Sequence, residues 1–343
     1  MTARAIQTVE QLHDLLSEPT PPVIETLRQL DGDIILLGAG GKMGPTLARM
    51  ARRASDAAGV KRRVIGVSRF SSGDQAKEFQ SHGIETISCN LLEEEAVAGL
   101  PDVPNVIFMA GMKFGSTGRE AITWAMNSYL PGVICRKFAR SRLVAFSTGN
   151  VYGLTSVAGG GSRETDAPVP VGEYAMSCLG RERVFEFFSR EHKIPMTLIR
   201  LNYACELRYG VLVDLSRKVW REEVIDMTMG YFNIIWQGDA NAMVLQAFAQ
   251  VAAPTLVLNV TGPETLNVRH VCERFAHLMN RSVTFSGAEC DAALLSNAHK
   301  AFELLGRPRV SAEQLIEWVA DWTMRGGATL GKPTHFESRN GKF

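Results

Sequence analysis

At 343 residues, with 45% hydrophobic and 21% charged side chains, the chain is long enough to bury a large core as one big α/β unit or two closely joined ones. A formal net charge of +1 with no long basic run removes the electrostatic footprint of a nucleic-acid binder. The six cysteines (Cys89, Cys135, Cys178, Cys205, Cys272 and Cys290) show neither CxxC nor Cys/His ligand spacing, so the pattern indicates no metal centre and no disulfide framework.

In chain order, the opening MTARAIQTVEQLHDLL interleaves charged with apolar residues and lacks the apolar block of a signal peptide. No stretch reaches the roughly 18 to 20 uninterrupted apolar residues of a membrane span. A cytoplasmic protein without a membrane partner is the expectation. Residues 1–32 read as a helical extension, VEQLHDLLS and PVIETLRQL split by EPTPP. From residue 33 to 201, the short apolar runs DIILLGAG, RRVIGVSR, ETISCN, NVIFMAG, RLVAFSTG and PMTLIRLN alternate with amphipathic segments of helical length. That alternation predicts an α/β fold, a doubly wound parallel sheet covered on both faces. Beyond Leu201 the rhythm loosens into helical GVLVDLSRKVWREEV, strand-like YFNIIWQ, helical ANAMVLQAFAQVA and the strand TLVLNV. Residues 202–325 therefore read as a smaller C-terminal α/β substrate lobe, some of whose elements return to the first sheet. Residues 326–343, GGATLGKPTHFESRNGKF, read as a flexible tail.

The turn after the first strand carries Gly38, Gly40, Gly41 and Gly44 around Lys42 and Met43, directly before a helix. Glycines there let the backbone approach a pyrophosphate held at the positive helix N-terminus, so the turn predicts dinucleotide binding. At the end of the second strand stand Ser68 and Arg69, with no carboxylate to accept bonds from ribose hydroxyls. A guanidinium there can pair with a 2′-phosphate, which puts NADP ahead of NAD.

With these pieces in order, the chain from about residue 33 to 322 resembles the extended short-chain dehydrogenase/reductase family, the NAD-dependent epimerase/dehydratase group typified by UDP-galactose 4-epimerase. The resemblance rests on the glycine turn, on FMAGMKFG, AMNSYLPGV and AFSTGNVYG, and on LLGRPRVSAEQLIEWVADW near the end. It implies a Rossmann fold and hydride chemistry on a carbohydrate or related hydroxy or keto compound. Asn90 and Leu91 take the place of the pair beside the adenine, with Asn for the family's Asp. Ala110, Gly111, Lys113 and Asn127 fall at cofactor-lining positions. Thr148, five residues before Gly153, falls at the hydroxyl that holds the reacting oxygen, and Tyr174, 26 residues further on, at the catalytic tyrosine. The family's long helices, here 119–140 and 173–192, imply a homodimer.

Three departures bear on chemistry. The lysine expected four residues after the tyrosine is Cys178, which cannot supply the positive charge that favours a phenolate. Phe232 stands where the family's arginine commonly grips a nucleotide-sugar pyrophosphate, with Arg208, Arg217 and Lys218 as possible substitutes and Asp239 in its usual place. The stretch RLNYACELRYG keeps Asn202 but lacks the usual YGP turn. Lys113 is a candidate for the missing cation, and Cys178 beside Arg181 a candidate reactive thiol. Two functions therefore stand side by side: an NADP-dependent enzyme, or an NADP-binding sensor or scaffold with little redox activity. A third keeps the dinucleotide as a fixed group for epimerisation or dehydration.

Overall fold

Four consecutive buried residues, Ile34–Leu37, form the first strand, β1. Ile34 and Leu36 enter one hydrophobic cluster while Ile35 and Leu37 enter another, so both faces of the strand are covered. The computed structural model describes residues 6–71, 73–113 and 115–341. The outermost ends of the expected extension and tail, and Ser72 and Phe114 inside the motifs GVSRFSS and FMAGMKFG, lie outside the described residues.

Six further strands join β1: β2 Val64–Ser68, β3 Glu85–Ser88, β4 Asn105–Phe108, β5 Arg142–Thr148, β6 Met196–Leu201 and β7 Leu256–Val260. Every pairing is parallel, in the spatial order β7-β6-β5-β4-β1-β2-β3. This is the doubly wound sheet the apolar runs predicted. Strand order reverses between β1 and β4, which opens a crevice beyond their C-terminal ends.

The sheet takes back two elements from beyond Leu201. TLVLNV becomes β7 and pairs with β6, Leu256 opposite Thr197. Helix Gln237–Gln246 is buried along its whole length and joins the core around Leu36 and Leu47. What remains of the second lobe is built on helices Val211–Trp220, Val268–Met279 and Ala312–Met324 around Phe232, Trp236 and Phe275. The expected strand in YFNIIWQ is two short ones, Tyr231–Phe232 and Ile235–Trp236, paired with different partners. Asn233 breaks the run: it turns inward to accept from Asn202 Nδ2 at 2.7 Å and donate to the Ser296 carbonyl at 2.7 Å.

Both termini fasten the lobes together. In the extension, Leu12 and Leu16 belong to the second-lobe core and Val23 and Leu27 to the sheet core. The tail, expected to be flexible, runs back over the second lobe. Leu330 N donates to Arg208 O at 3.0 Å, Thr334 donates to Asp214 Oδ2 from N at 2.8 Å and Oγ1 at 2.6 Å, and Phe336 is buried with its ring 5.9 Å from that of Phe232. One buried aromatic and a few backbone anchors suffice to order a segment that is otherwise polar and glycine-rich. Among the described residues no helix is long and apolar enough to cross a membrane, and no three His, Cys, Asp or Glu side chains gather as metal ligands.

Candidate active site

The crevice is walled by the loops after β1, β4, β5 and β6. A cavity of about 180 Å³ there is lined by Lys42 and Met43, Lys113, Thr148 and Asn150, the stretch Leu201–Cys205, Tyr209, and Thr334 from the tail.

Packing dictates the glycine turn. Gly38 has φ +92°, and a Cβ on it would lie 2.7 Å from the Ala110 backbone; at Gly44 a Cβ would lie 1.9 Å from Ala39 O. Around Gly41 the nearest atom is 3.5 Å away, leaving that face open. No side chain caps helix Gly44–Ala57 at Met43, so its N-terminal amides stay available to an anion. Lys42 turns inward, its Nζ 3.1 Å from the centroid of the Tyr209 ring. Burial, then the charges of Lys113 and Lys332, push its pKa down to about 7. A glycine cradle, an uncapped helix start and a desolvated lysine fit a dinucleotide pyrophosphate.

At the adenosine end, Ser68 and Arg69 close β2, with Arg69 exposed and free of any ion pair among the described residues. Asn90 spends its side chain locally, donating to Glu93 Oε1 at 2.8 Å and accepting from Leu92 N at 3.4 Å. Leu91 is buried in the core behind it.

At the reaction end, Thr148 and Tyr174 meet. The Thr148 hydroxyl accepts from Asn150 Nδ2 at 2.9 Å and is hydrogen-bonded to the Tyr174 phenol, which also bonds Cys178. Burial drives the Tyr174 pKa well above its usual value, and the Cys178 thiol is likewise pushed up by burial. Cys178 packs with Val151, Tyr152 and Leu179, so the candidate thiol is an enclosed, protonated one. Lys113 places Nζ 5.7 Å from the Tyr174 ring centroid, and burial pushes its own pKa down to about 8.

The family's sequence model, that of the NAD-dependent epimerase/dehydratase family, matches residues 34–205, just over half of the chain. The chain belongs to this family. No curated protein matches it by sequence. Among solved structures it is similar to MoeE5 in complex with UDP-glucuronic acid and NAD, at 20% identity and TM-score 0.70 over 86% of this chain and 100% of that one. It is also similar to UDP-glucuronic acid 4-epimerase from Bacillus cereus in complex with UDP-glucuronic acid and NAD, at 17% identity and TM-score 0.70 over 85% and 99%. UDP-glucose 4-epimerase with UDP-glucose from Thermotoga maritima gives 17% identity and TM-score 0.69 over 86% and 99%. At these identities the likeness is one of fold.

Several residues of this epimerase/dehydratase-family chain do something other than the motifs suggest. Asn127 is fully buried, and its amide is used up by protein: Oδ1 accepts from Met112 N at 3.0 Å and from Arg181, while Nδ2 donates to Met112 O at 3.0 Å and Ser177 Oγ at 2.9 Å. It therefore holds the Lys113 loop in place and presents no free group to a cofactor. A short π-helical turn, Ala125–Tyr129, aims it there. Arg208 is tied to Glu206 and His13, and Asp239 anchors Arg309 and Val310, so neither faces the cavity. Phe232 is enclosed against Phe336. Sequence reasoning missed Tyr203, Tyr209 and Thr334 as cavity walls, and it missed the buried network of Ser147, Glu182, Arg200 and Tyr152. The available signal was GRER after Cys178, two positive charges around one negative on a helix whose flanking residues are apolar.

Proposed function

We propose that the protein is a nicotinamide-dependent enzyme that carries out hydride transfer on a carbohydrate or a related hydroxy or keto compound. The observation behind this is the hydrogen bond joining the hydroxyls of Thr148 and Tyr174 beside a cavity that reaches the glycine turn. Hydride acceptance and return is the chemistry a bound nicotinamide dinucleotide supplies; the rest falls to the chain. Thr148 orients the reacting oxygen of the substrate. Tyr174 Oη exchanges the proton of that oxygen, and its raised pKa makes the phenol the resting form, so it donates more readily than it accepts. The Lys113 ammonium, on the cavity side of the Tyr174 ring, provides positive charge from a loop where the family uses the helix. Tyr203 and Tyr209 from the rebuilt substrate loop and Thr334 from the tail wall the substrate end and exclude water.

The neighbouring structures carry NAD and UDP-sugars in their descriptions. Two features here motivate a different choice. Ser68 and exposed Arg69 favour NADP over NAD, and Phe232, sealed against Phe336, offers no charge to a nucleotide-sugar pyrophosphate. The homodimer interface we place on helices Glu120–Lys137 and Gly172–His192, which expose Trp124, Tyr129, Met176 and Phe187.

A cofactor titration followed by a substrate screen tests the whole reading. NADPH should bind more tightly than NADH, and Tyr174→Phe should bind the cofactor like the parent and lose turnover by a factor of a hundred or more, on the order of what a general acid contributes. Full turnover by Tyr174→Phe would refute the mechanism. Tight cofactor binding, no parent turnover and activity gained by Cys178→Lys would return the protein to a sensor or scaffold role.

A further inference from the structure

Arg181 is a buried charge to which the reaction above gives no task. Its side chain is only 5% exposed and lies beneath the meeting point of three segments. Nη1 donates to Phe146 O near the end of β5 at 2.9 Å, Nη2 to Asn127 Oδ1 at 2.6 Å and Nε to Asn127 O at 3.3 Å. All three acceptors are neutral. Among the described residues no carboxylate lies within ion-pair distance of it, and the adjacent Glu182 is turned away to Arg200. Neutral oxygens satisfy the N–H groups but leave a net charge in a desolvated place, which stability alone disfavours.

Its neighbours along the helix explain the charge. Tyr174, Cys178 and Arg181 are spaced four and then three residues apart, which sets them on one face of helix Gly172–His192. Tyr174 and Cys178 are the groups in its field able to become anionic, and Arg181 draws both of their pKa values down against the burial that raises them. We propose that Arg181 is a positioning residue that takes over the electrostatic work of the lysine missing at Cys178: a fixed cation one turn further along the helix, it steadies the anion left at Tyr174 Oη when the proton departs, and it holds Asn127, hence the Lys113 loop, in register. Gly111 belongs to the same arrangement, because a Cβ there would fall 2.4 Å from Arg181 Nη2. The other groups facing Tyr174 are accounted for. Lys113 acts from the cavity side, Thr148 bonds the phenol, and Glu182, felt at Cys178, is bound to Arg200.

The proposal rests on Tyr174 as the proton-exchanging group, yet its test needs no substrate. A fluorinated tyrosine at position 174 of the full chain, whose phenol ionises at lower pH, reports its titration by fluorine NMR. Arg181→Gln should raise the midpoint by about one pH unit or more, and Arg181→Lys by clearly less. Gly111→Ala, which keeps the charge but displaces the guanidinium, should also raise it, and this variant carries the test if Arg181→Gln does not fold. A midpoint equal to the parent's in Arg181→Gln, or in Gly111→Ala where only that variant folds, overturns the proposal. Because turnover of Tyr174→Phe is scored separately, a failure of the hydride mechanism and a failure of Arg181 are told apart.

Discussion

Arg200 and Arg181 are both buried guanidiniums against helix Gly172–His192, and they are satisfied in different ways. Arg200 meets Glu182 with Nη2 at 2.6 Å from Oε2 and Nε at 3.0 Å from Oε1, and passes its remaining donor to Tyr152 Oη at 2.6 Å. Ser147 adds a bond to Glu182, and Tyr152 continues to Asn259 Oδ1 at 2.9 Å. The network thus ties β5, β6, β7 and the helix together, with its charges cancelled. Arg181, one residue from Glu182 in sequence, has carbonyl and amide oxygens and the face of the Phe108 ring 5.5 Å away, but no carboxylate among the described residues. The difference separates two uses of buried charge. Where the charge serves the framework it is paired; where it faces the reacting groups it is left to act on them.

Breaking the framework side gives the largest expected effect. Glu182→Ala leaves Arg200 buried without its carboxylate, a loss of about 3 to 5 kcal/mol in chemical denaturation. Arg181→Gln removes a charge that had no anionic partner among the described residues and strands no carboxylate, so its stability should change far less than that. If both variants lost equal stability, the distinction between the two arginines would not hold.

Why one of these arginines was foreseen near the site and the network was not follows from what a sequence encodes locally. Five of the six strands up to Leu201 were legible because a strand buried on both faces reads as a largely apolar run, the half-exposed edge strand ETIS only from its place in the alternation, and the glycine turn because only glycine tolerates the approach of Ala110 to Gly38 and of Ala39 to Gly44. Thr148 and Tyr174 were placed by motif spacing. The partnership of Glu182 with Arg200 joins a helix to a strand 18 residues on and has no periodic signature. That some element beyond Leu201 returns to the sheet was expected, but not which one, since TLVLNV reads the same whichever lobe it joins. The anchors of the tail were not legible, because composition counts GGATLGKPTHFESRNGKF as polar, while a single phenylalanine, Phe336, finds a buried partner. Asn127 was found, but its role was not, because the carbonyl and amide it holds at Met112 are backbone groups invisible to motif reading.

A second test moves to the cations at the cavity itself. Lys42 and Lys113 have pKa values depressed to about 7 and about 8, so between those values and the unfolded lysine pKa near 10.4 the unfolded chain binds more protons than the folded one. Stability without ligand should therefore rise with pH from about 7 toward 10. Cofactor affinity should move oppositely, because the pyrophosphate prefers charged lysines. Calorimetric titration at pH 6.5 to 8.5, in buffers of different ionisation enthalpy, should show proton uptake on binding and a roughly tenfold weakening over that span, about 1.4 kcal/mol. Lys42→Met should flatten the profile; an undiminished pH dependence in that variant would detach Lys42 from the cofactor.

The smallest expected effect concerns the mirror image of Arg181. Asp214 is a largely enclosed carboxylate whose pKa is raised by burial and partly restored by the Thr334 hydroxyl and amide. Among the described residues it has no salt bridge, so the tail's hydrogen bonds are what keep the anion tolerable. A raised carboxylate pKa means the folded state holds its proton to higher pH than the unfolded chain does, so stability drains away as pH rises through that folded value. Thr334→Val removes one of the two bonds to the ionised form and pushes the pKa further up. The variant should lose about 1 kcal/mol at pH 7.5, typical of one hydrogen bond, and less at pH 5, where more of Asp214 is already protonated. Urea denaturation at the two pH values checks this. A loss that does not shrink at the lower pH would mean that Thr334 anchors the tail by packing alone and that Asp214 is no counterpart to the uncancelled cation on the other side of the cavity.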